Sequence, residues 1–264
     1  MATAADVTAL RGLNATIAAR ATATLEAFWA TLDLTRPEAA RNALIEFMPA
    51  LTDQYGEAAA VIAADWYDAL RESEGIDGAY VATLAATVPE EVVATRTRFG
   101  AQHLWTESPA QTLAFLVGVA QEYALQPGRD TITHSAMQDP AAAGWHRETR
   151  GSRSYPSGCD FCKMLASRGD VYKRATARFA SHAGCNCVAV PSWDVNAREV
   201  PADAYVASER LDTLRRQAAG EQMTLSKRRR EYLKRRGITA QEDAQQQLEA
   251  HRQRVRDWIA SAAT

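Results

Sequence analysis

The 264-residue chain has the composition of a globular protein: 47% of its residues are hydrophobic, 23% are charged and four are cysteines. These values exclude full disorder, a collagen-like repeat and a disulfide-dense miniature scaffold, and the longest apolar runs fall far short of the roughly 18–20 residues that span a membrane. The net charge of −2 combines −9 in residues 1–150 with +3 in residues 151–200 and +4 in residues 201–264. This asymmetry leaves room for a local basic contact in the C-terminal half.

Helical periodicity dominates the first 127 residues. Leu25, Phe28, Trp29 and Leu32 follow the i, i+3, i+4, i+7 spacing of one helix face. We predict helices near residues 5–32, 36–50, 55–73, 79–86, 89–104 and 109–125. Three of them are expected to begin with a capping box, in which Ser or Thr caps the helix and Glu or Gln follows three residues later: Thr35 to Glu38, Thr87 to Glu90 and Ser108 to Gln111.

Gly and Pro interrupt the chain after residue 127, and helix returns after residue 203. Two strands are predicted between, at 145–155 and 187–190. Gly237 is expected to end one helix, and a fourth capping box from Thr239 to Glu242 to begin the next. The predicted fold is mainly α with a small α+β module. Its regions are a helical domain (1–127), the α+β module with the Cys/His cluster (128–200) and a basic helical tail (201–264).

The four cysteines lie within 29 residues. Cys159-x2-Cys162 and Cys185-x-Cys187 are separated by 22 intervening residues, and His182 stands three residues before Cys185. Zinc binds four thiolate or imidazole ligands in a tetrahedron, and a C-x2-C knuckle supplies two of them. The sequence therefore predicts a structural zinc site. Four thiolates, or three thiolates with one imidazole, both fit the spacing.

Two other roles for these cysteines stay open. Cytoplasmic proteins seldom keep disulfides, but a protein that ends in an extracellular particle can oxidise later, so disulfide pairing is one alternative. The other is a dithiol redox centre at Cys159 and Cys162. That centre needs a thioredoxin-like βαβ context, which the helical pattern before the motif does not provide.

A basic run lies in the C-terminal region. Seven of its ten positions are cationic: Lys227, Arg228, Arg229, Arg230, Lys234, Arg235 and Arg236. Such a run predicts contact with DNA phosphates or with an acidic face of a partner protein. The alternative is a solvated helix face with Tyr232 and Leu233 turned inward.

Local catalytic motifs are absent from the sequence, which contains neither Gly-x-Ser-x-Gly nor His-Glu-x-x-His. We therefore predict no catalytic residue and no small-molecule substrate. A catalytic triad can still assemble from distant positions, so a hydrolase stays open.

The region from Cys159 to Pro191 carries more than a zinc pattern. It resembles the C-terminal region of the MuF-like minor capsid proteins of tailed bacteriophages, which share C-x2-C-x2-L-x-S-R-G-x-V-Y followed by H-x-x-C-x-C. The resemblance covers roughly residues 20–195 and is closest to the branch from phages and prophages of GC-rich hosts. The matching positions are Cys159, Cys162, Ser167, Arg168, Gly169, Tyr172, His182, Cys185 and Cys187.

This resemblance implies a minor structural protein of a phage or prophage head. Such a protein is made in the bacterial cytoplasm, lies inside the procapsid or virion, and has the portal, capsid or scaffold proteins and packaged DNA as expected partners. Some members of the branch are described as capsid maturation proteases, which makes a protease the first alternative. A zinc-containing nucleic-acid-binding protein that uses residues 227–236 is the second.

Overall fold

The computed structural model describes residues 2–149, 162, 165–166, 171–172, 179, 181–182, 184–197 and 208–262. These residues form two compact units, one containing the described residues up to 197 and the other containing residues 208–262. Described residues of the predicted regions 1–127 and 128–200 belong together in the first unit.

The first unit is helical with one small sheet. It contains helices α1 (Ala4–Trp29), α2 (Pro37–Ser73), α3 (Glu90–Gly100) and α4 (Ala110–Gln138), a 3₁₀ helix (Ala101–Trp105) and strands β1 (Gly144–Glu148) and β2 (Val188–Ser192). The second unit contains α5 (Ser208–Ala218), α6 (Lys227–Arg236) and α7 (Ala240–Ala262). The predicted fold class, mainly α with a small α+β module, is confirmed.

Helices α1, α2 and α4 pack around the apolar core of the first unit. Leu25, Leu44 and Leu116, one from each helix, are completely buried in one cluster. Gly128 brings α4 against α2, since a Cβ atom there would meet the Ala59 carbonyl oxygen at 2.8 Å. Burial of these apolar faces is the main stabilising contribution to a helical layer of this kind.

The two strands pair antiparallel and lie against α4. Their register places Trp145 opposite Pro191 and His146 opposite Val190. Trp145 also exchanges two backbone hydrogen bonds with Tyr172, and their rings stack with centroids 4.4 Å apart. This small sheet therefore belongs to the same core as the end of α4.

Several helix boundaries differ from the sequence predictions. The helices predicted at 36–50 and 55–73 are the single helix α2, with Pro49 inside it, and α4 continues past residue 125 to Gln138. The helix predicted at 79–86 is wrong. That segment is irregular because side chains bind its backbone N–H groups: Asp68 accepts from Ala82, and Thr131 accepts from Ala85.

The capping predictions gave a mixed outcome. The boxes predicted at Thr35, Thr87 and Ser108 are wrong, since the helices begin after Arg36, Pro89 and Pro109 without a side-chain cap. The hydroxyls of Thr35 and Thr87 instead donate to Asp33 and Asp53.

The C-terminal predictions are confirmed. Gly237 ends α6 with a φ of 63°, in the left-handed region. Thr239 and Glu242 form the reciprocal bonds of a capping box at the start of α7. Within the part of the chain described, no helix is both long and apolar enough to cross a membrane.

Candidate metal centre

Three of the predicted ligands come together in the first unit. The ligand atoms of Cys162, His182 and Cys185 all lie within 4.8 Å of one another. The Cys162 Sγ atom is 3.4 Å from His182 Nε2 and 3.8 Å from Cys185 Sγ. Two thiols and one imidazole at this separation match three corners of a tetrahedral metal site.

A tight turn places two of these ligands. The Cys185 N–H donates to the His182 carbonyl at 3.0 Å, and Gly184 between them has a φ of 71°, which an L side chain rarely adopts. Strand β2 begins three residues after Cys185, at Val188. The turn therefore ties the cluster to the sheet, which in turn lies on α4.

Arg129 of α4 binds the backbone of the same turn through hydrogen bonds. Its guanidinium is 3% exposed, and it donates to the Cys185 carbonyl at 2.7 Å and, more weakly, to the Cys187 carbonyl at 3.4 Å. It also lies over the Phe179 ring, 5.4 Å from the centroid. A single buried side chain thus fixes the backbone on both sides of Asn186.

The pKa values of the two cysteines in this turn shift in opposite directions. Hydrogen bonding with Cys162 and Cys187, assisted by the charge of Arg129, lowers the pKa of Cys185. For Cys187, the hydrogen bond with Cys162 lowers the pKa, but the interaction with Cys185 and burial outweigh it, so its pKa is raised. A lowered pKa favours the thiolate, the form that ligates metal.

The carboxyl group of Glu122 interacts electrostatically with Arg129 and with two members of the cluster, His182 and Cys185. Burial raises the pKa of Glu122, while Arg96, Arg129 and His182 act in the opposite direction. The Glu122 carboxylate lies 4.0 Å from the Arg96 guanidinium. Neither Glu122 nor Arg129 was assigned a role from the sequence, because nothing in a helical pattern of α4 indicates which side chains face a turn 56 residues away.

Of the two remaining predicted ligands, Cys187 alone is among the described residues. Cys187 is buried, but its sulfur is not part of the three-residue group, and Cys159 lies outside the described residues. Cys162, Cys185 and Cys187 form no disulfide with one another. The structure therefore identifies a cluster that can bind a metal ion, with three of the five predicted ligands in it.

The basic residues predicted as a contact surface lie apart from the cluster along the chain. All seven belong to α6 of the second unit. Ser226 caps this helix by accepting from the Arg229 N–H at 3.2 Å, and Leu233 is its buried residue. Leu233 is buried and Tyr232 is partly buried, as the alternative of a solvated helix face expected.

A family model described as VG15 protein matches residues 1–211, which include the whole first unit and its Cys/His cluster. No curated protein and no solved structure matches the chain.

Proposed function

The chain belongs to the VG15 protein family, a family of viral, phage-type proteins, and from this membership we propose that it is a minor structural protein of a tailed-phage or prophage head. The observation that carries the proposal is the family match over residues 1–211. The resemblance of the segment from Cys159 to Pro191 to MuF-like minor capsid proteins supports the narrower assignment to head morphogenesis.

The Cys/His cluster acts in this proposal as a structural zinc clip. Cys162, His182 and Cys185 are three ligands, and Cys159 of the C-x2-C knuckle is the fourth. Cys162 is 2% exposed and Cys185 is 6% exposed, which suits a closed site that stabilises the fold. Metal binding would supply stabilisation to a polar segment with little apolar surface to bury.

The partners proposed are the portal, the capsid or scaffold proteins and the packaged DNA, and the location proposed is the interior of the procapsid or virion. The experiment is complementation of a phage that lacks this gene, followed by mass spectrometry of purified heads. We expect the wild-type protein in heads at low copy number and loss of infectivity without it. Its absence from heads of a fully infectious phage would refute the proposal.

A capsid maturation protease is the second candidate, because the Cys162 Sγ atom lies 3.4 Å from His182 Nε2, as in a thiol–imidazole pair. Co-expression with the major capsid protein of the same phage separates the two functions. A protease would cut that protein at a defined site, and Cys162→Ser would abolish the cut. A structural protein would leave the capsid subunits intact.

A further inference from the structure

Helix α6 carries its seven cationic residues in two sets that differ in their contacts. We infer that Lys227, Arg228, Lys234 and Arg235 form a binding face for the phosphate backbone of double-stranded DNA. The other three cations, Arg229, Arg230 and Arg236, have ion-pair or hydrogen-bond partners within the second unit.

The engaged set stabilises the unit itself. Arg229 forms an ion pair with Asp243 of α7. Arg230 donates to the Leu225 carbonyl at 3.0 Å, and Arg236 donates to the hydroxyl of a tyrosine four residues earlier at 2.9 Å. These three residues therefore have a structural explanation.

The remaining set is exposed and unengaged. No side chain of Lys227, Arg228, Lys234 or Arg235 has a hydrogen-bond or ion-pair partner among the residues described. With about 3.6 residues per turn, these positions lie within an arc of about 120° and extend about 12 Å along the helix. Glu231 lies in the same arc, so the face keeps a net charge of about +3.

Helix stability does not account for this face. Lys227 and Arg228 occupy the first turn of α6, and that turn contains no acidic residue. The positive end of the helix dipole lies there, so cations in this turn are unfavourable. Lys234 and Arg235 at the other end are favourable, but that effect does not explain the two cations at the start.

The residue composition of this face favours nucleic acid over a protein as its binding partner. Protein interfaces depend on buried aromatic and apolar anchors, and this arc of α6 contains only charged side chains. A phosphate backbone is bound by exposed Lys and Arg alone, without reading the base sequence. Binding is therefore expected to be independent of sequence and strongly dependent on salt.

This inference rests on the proposed function for the source of the DNA, the packaged phage genome. The binding itself is tested on duplex DNA of arbitrary sequence. Failure to bind DNA would leave incorporation into heads possible, and absence from heads would leave DNA binding intact. The two experiments therefore fail independently.

The test measures fluorescence anisotropy of a labelled 20-base-pair duplex with the full chain between about 25 and 200 mM salt. Four phosphate contacts contribute a slope of roughly −3.6 in log K against log salt. We expect the variant K227Q/R228Q/K234Q/R235Q to lose most of this slope and at least tenfold in affinity at 50 mM salt. The control, R230Q/R236Q, removes two charges from the same helix but keeps the Arg229–Asp243 ion pair, and it should keep the slope within about one.

Equal losses in the two variants, or no binding by the wild-type chain at 25 mM salt, would overturn the inference. A footprint on the unmodified protein makes the test independent of variant folding. Duplex DNA should reduce the acetylation of Lys227 and Lys234 relative to the same chain without DNA. Unchanged acetylation of Lys227 and Lys234 in the presence of saturating DNA would also refute the proposed face.

Discussion

Asp139, directly after α4, is the acceptor on which separate parts of the first unit converge. Its Oδ2 atom accepts from Tyr67 at 3.1 Å, from Arg71 at 3.0 Å and from Trp193 at 3.1 Å, while Oδ1 accepts from the Ala141 N–H at 3.0 Å. The residue is 3% exposed. Replacing it by alanine would leave the buried Arg71 guanidinium and Tyr67 phenol, and the half-buried Trp193 indole, without their shared acceptor.

The magnitude follows from these contacts. Removing one partner of a buried ion pair costs about 3–5 kcal/mol. Arg71 keeps its bonds to the carbonyls of Ile76, Asp77 and Gly78, so we expect the lower end for Asp139→Ala, about 3 kcal/mol. Asp139→Asn keeps the shape and one acceptor oxygen, and should cost about 1–2 kcal/mol.

Urea unfolding followed by circular dichroism measures both values. Asp53→Ala is the control, because that exposed carboxylate accepts from the Thr87 hydroxyl alone among the described residues. It should change the unfolding free energy by less than about 1 kcal/mol. A loss below about 1 kcal/mol for Asp139→Ala would refute the reasoning that Asp139 holds these elements together.

The pH dependence gives a second readout for the same carboxylate. Burial acts to raise the pKa of Asp139, but hydrogen bonds from Trp193, Ala141, Arg71 and Tyr67 outweigh it, so the pKa is lowered. A lowered folded-state pKa gives stability that is present above the unfolded value of roughly 3.9 and is lost as the pH falls through the folded value. The stability advantage of the wild type over Asp139→Asn should therefore shrink below about pH 4.

Four further substitutions, one of them a control, test three separate features of the structure. Gly128→Ala should lower the free energy of unfolding by about 1–3 kcal/mol in the same urea assay, because its Cβ atom would meet the Ala59 carbonyl oxygen. Its control, Gly12→Ala, places a Cβ atom where no other atom lies within 4 Å, and it should raise the free energy of unfolding by about 0.5–1 kcal/mol. Arg129→Gln should weaken zinc binding at least tenfold in a chelator competition, since the turn carrying two of the ligands loses its support; unchanged affinity would contradict that role. Thr239→Ala should cost about 1 kcal/mol through loss of the cap of α7, seen as faster amide hydrogen exchange in its first turn.

Some features set by local sequence were predicted correctly, although the three capping boxes at Thr35, Thr87 and Ser108 were not. The apolar periodicity of α1, the end of α6 at Gly237 and the start of α7 at Thr239 follow from nearby residues. Strands also form at both predicted positions, but β1 ends at Glu148, and residues 150–155 of the predicted strand lie outside the described residues. The spacing of the cysteines and His182 likewise indicated a cluster before the structure placed three of them together.

Features set by distant residues were missed. The segment around 79–86 has helical spacing, but its N–H groups bind Asp68, Thr131 and Ser135 from other helices. Arg129 supports a turn 56 residues later in the chain. A one-dimensional pattern contains no information about such pairings, because they arise only when the helices pack.

The metal content of the purified chain, measured without chelators, tests the zinc clip most directly. We expect about one zinc ion per chain, lost in Cys162→Ser and in Cys185→Ser. The matched variant Cys187→Ser should retain the zinc, because the Cys187 sulfur lies outside the three-residue ligand group. A wild-type chain without metal, whose thiols all titrate freely in the folded state, would contradict it.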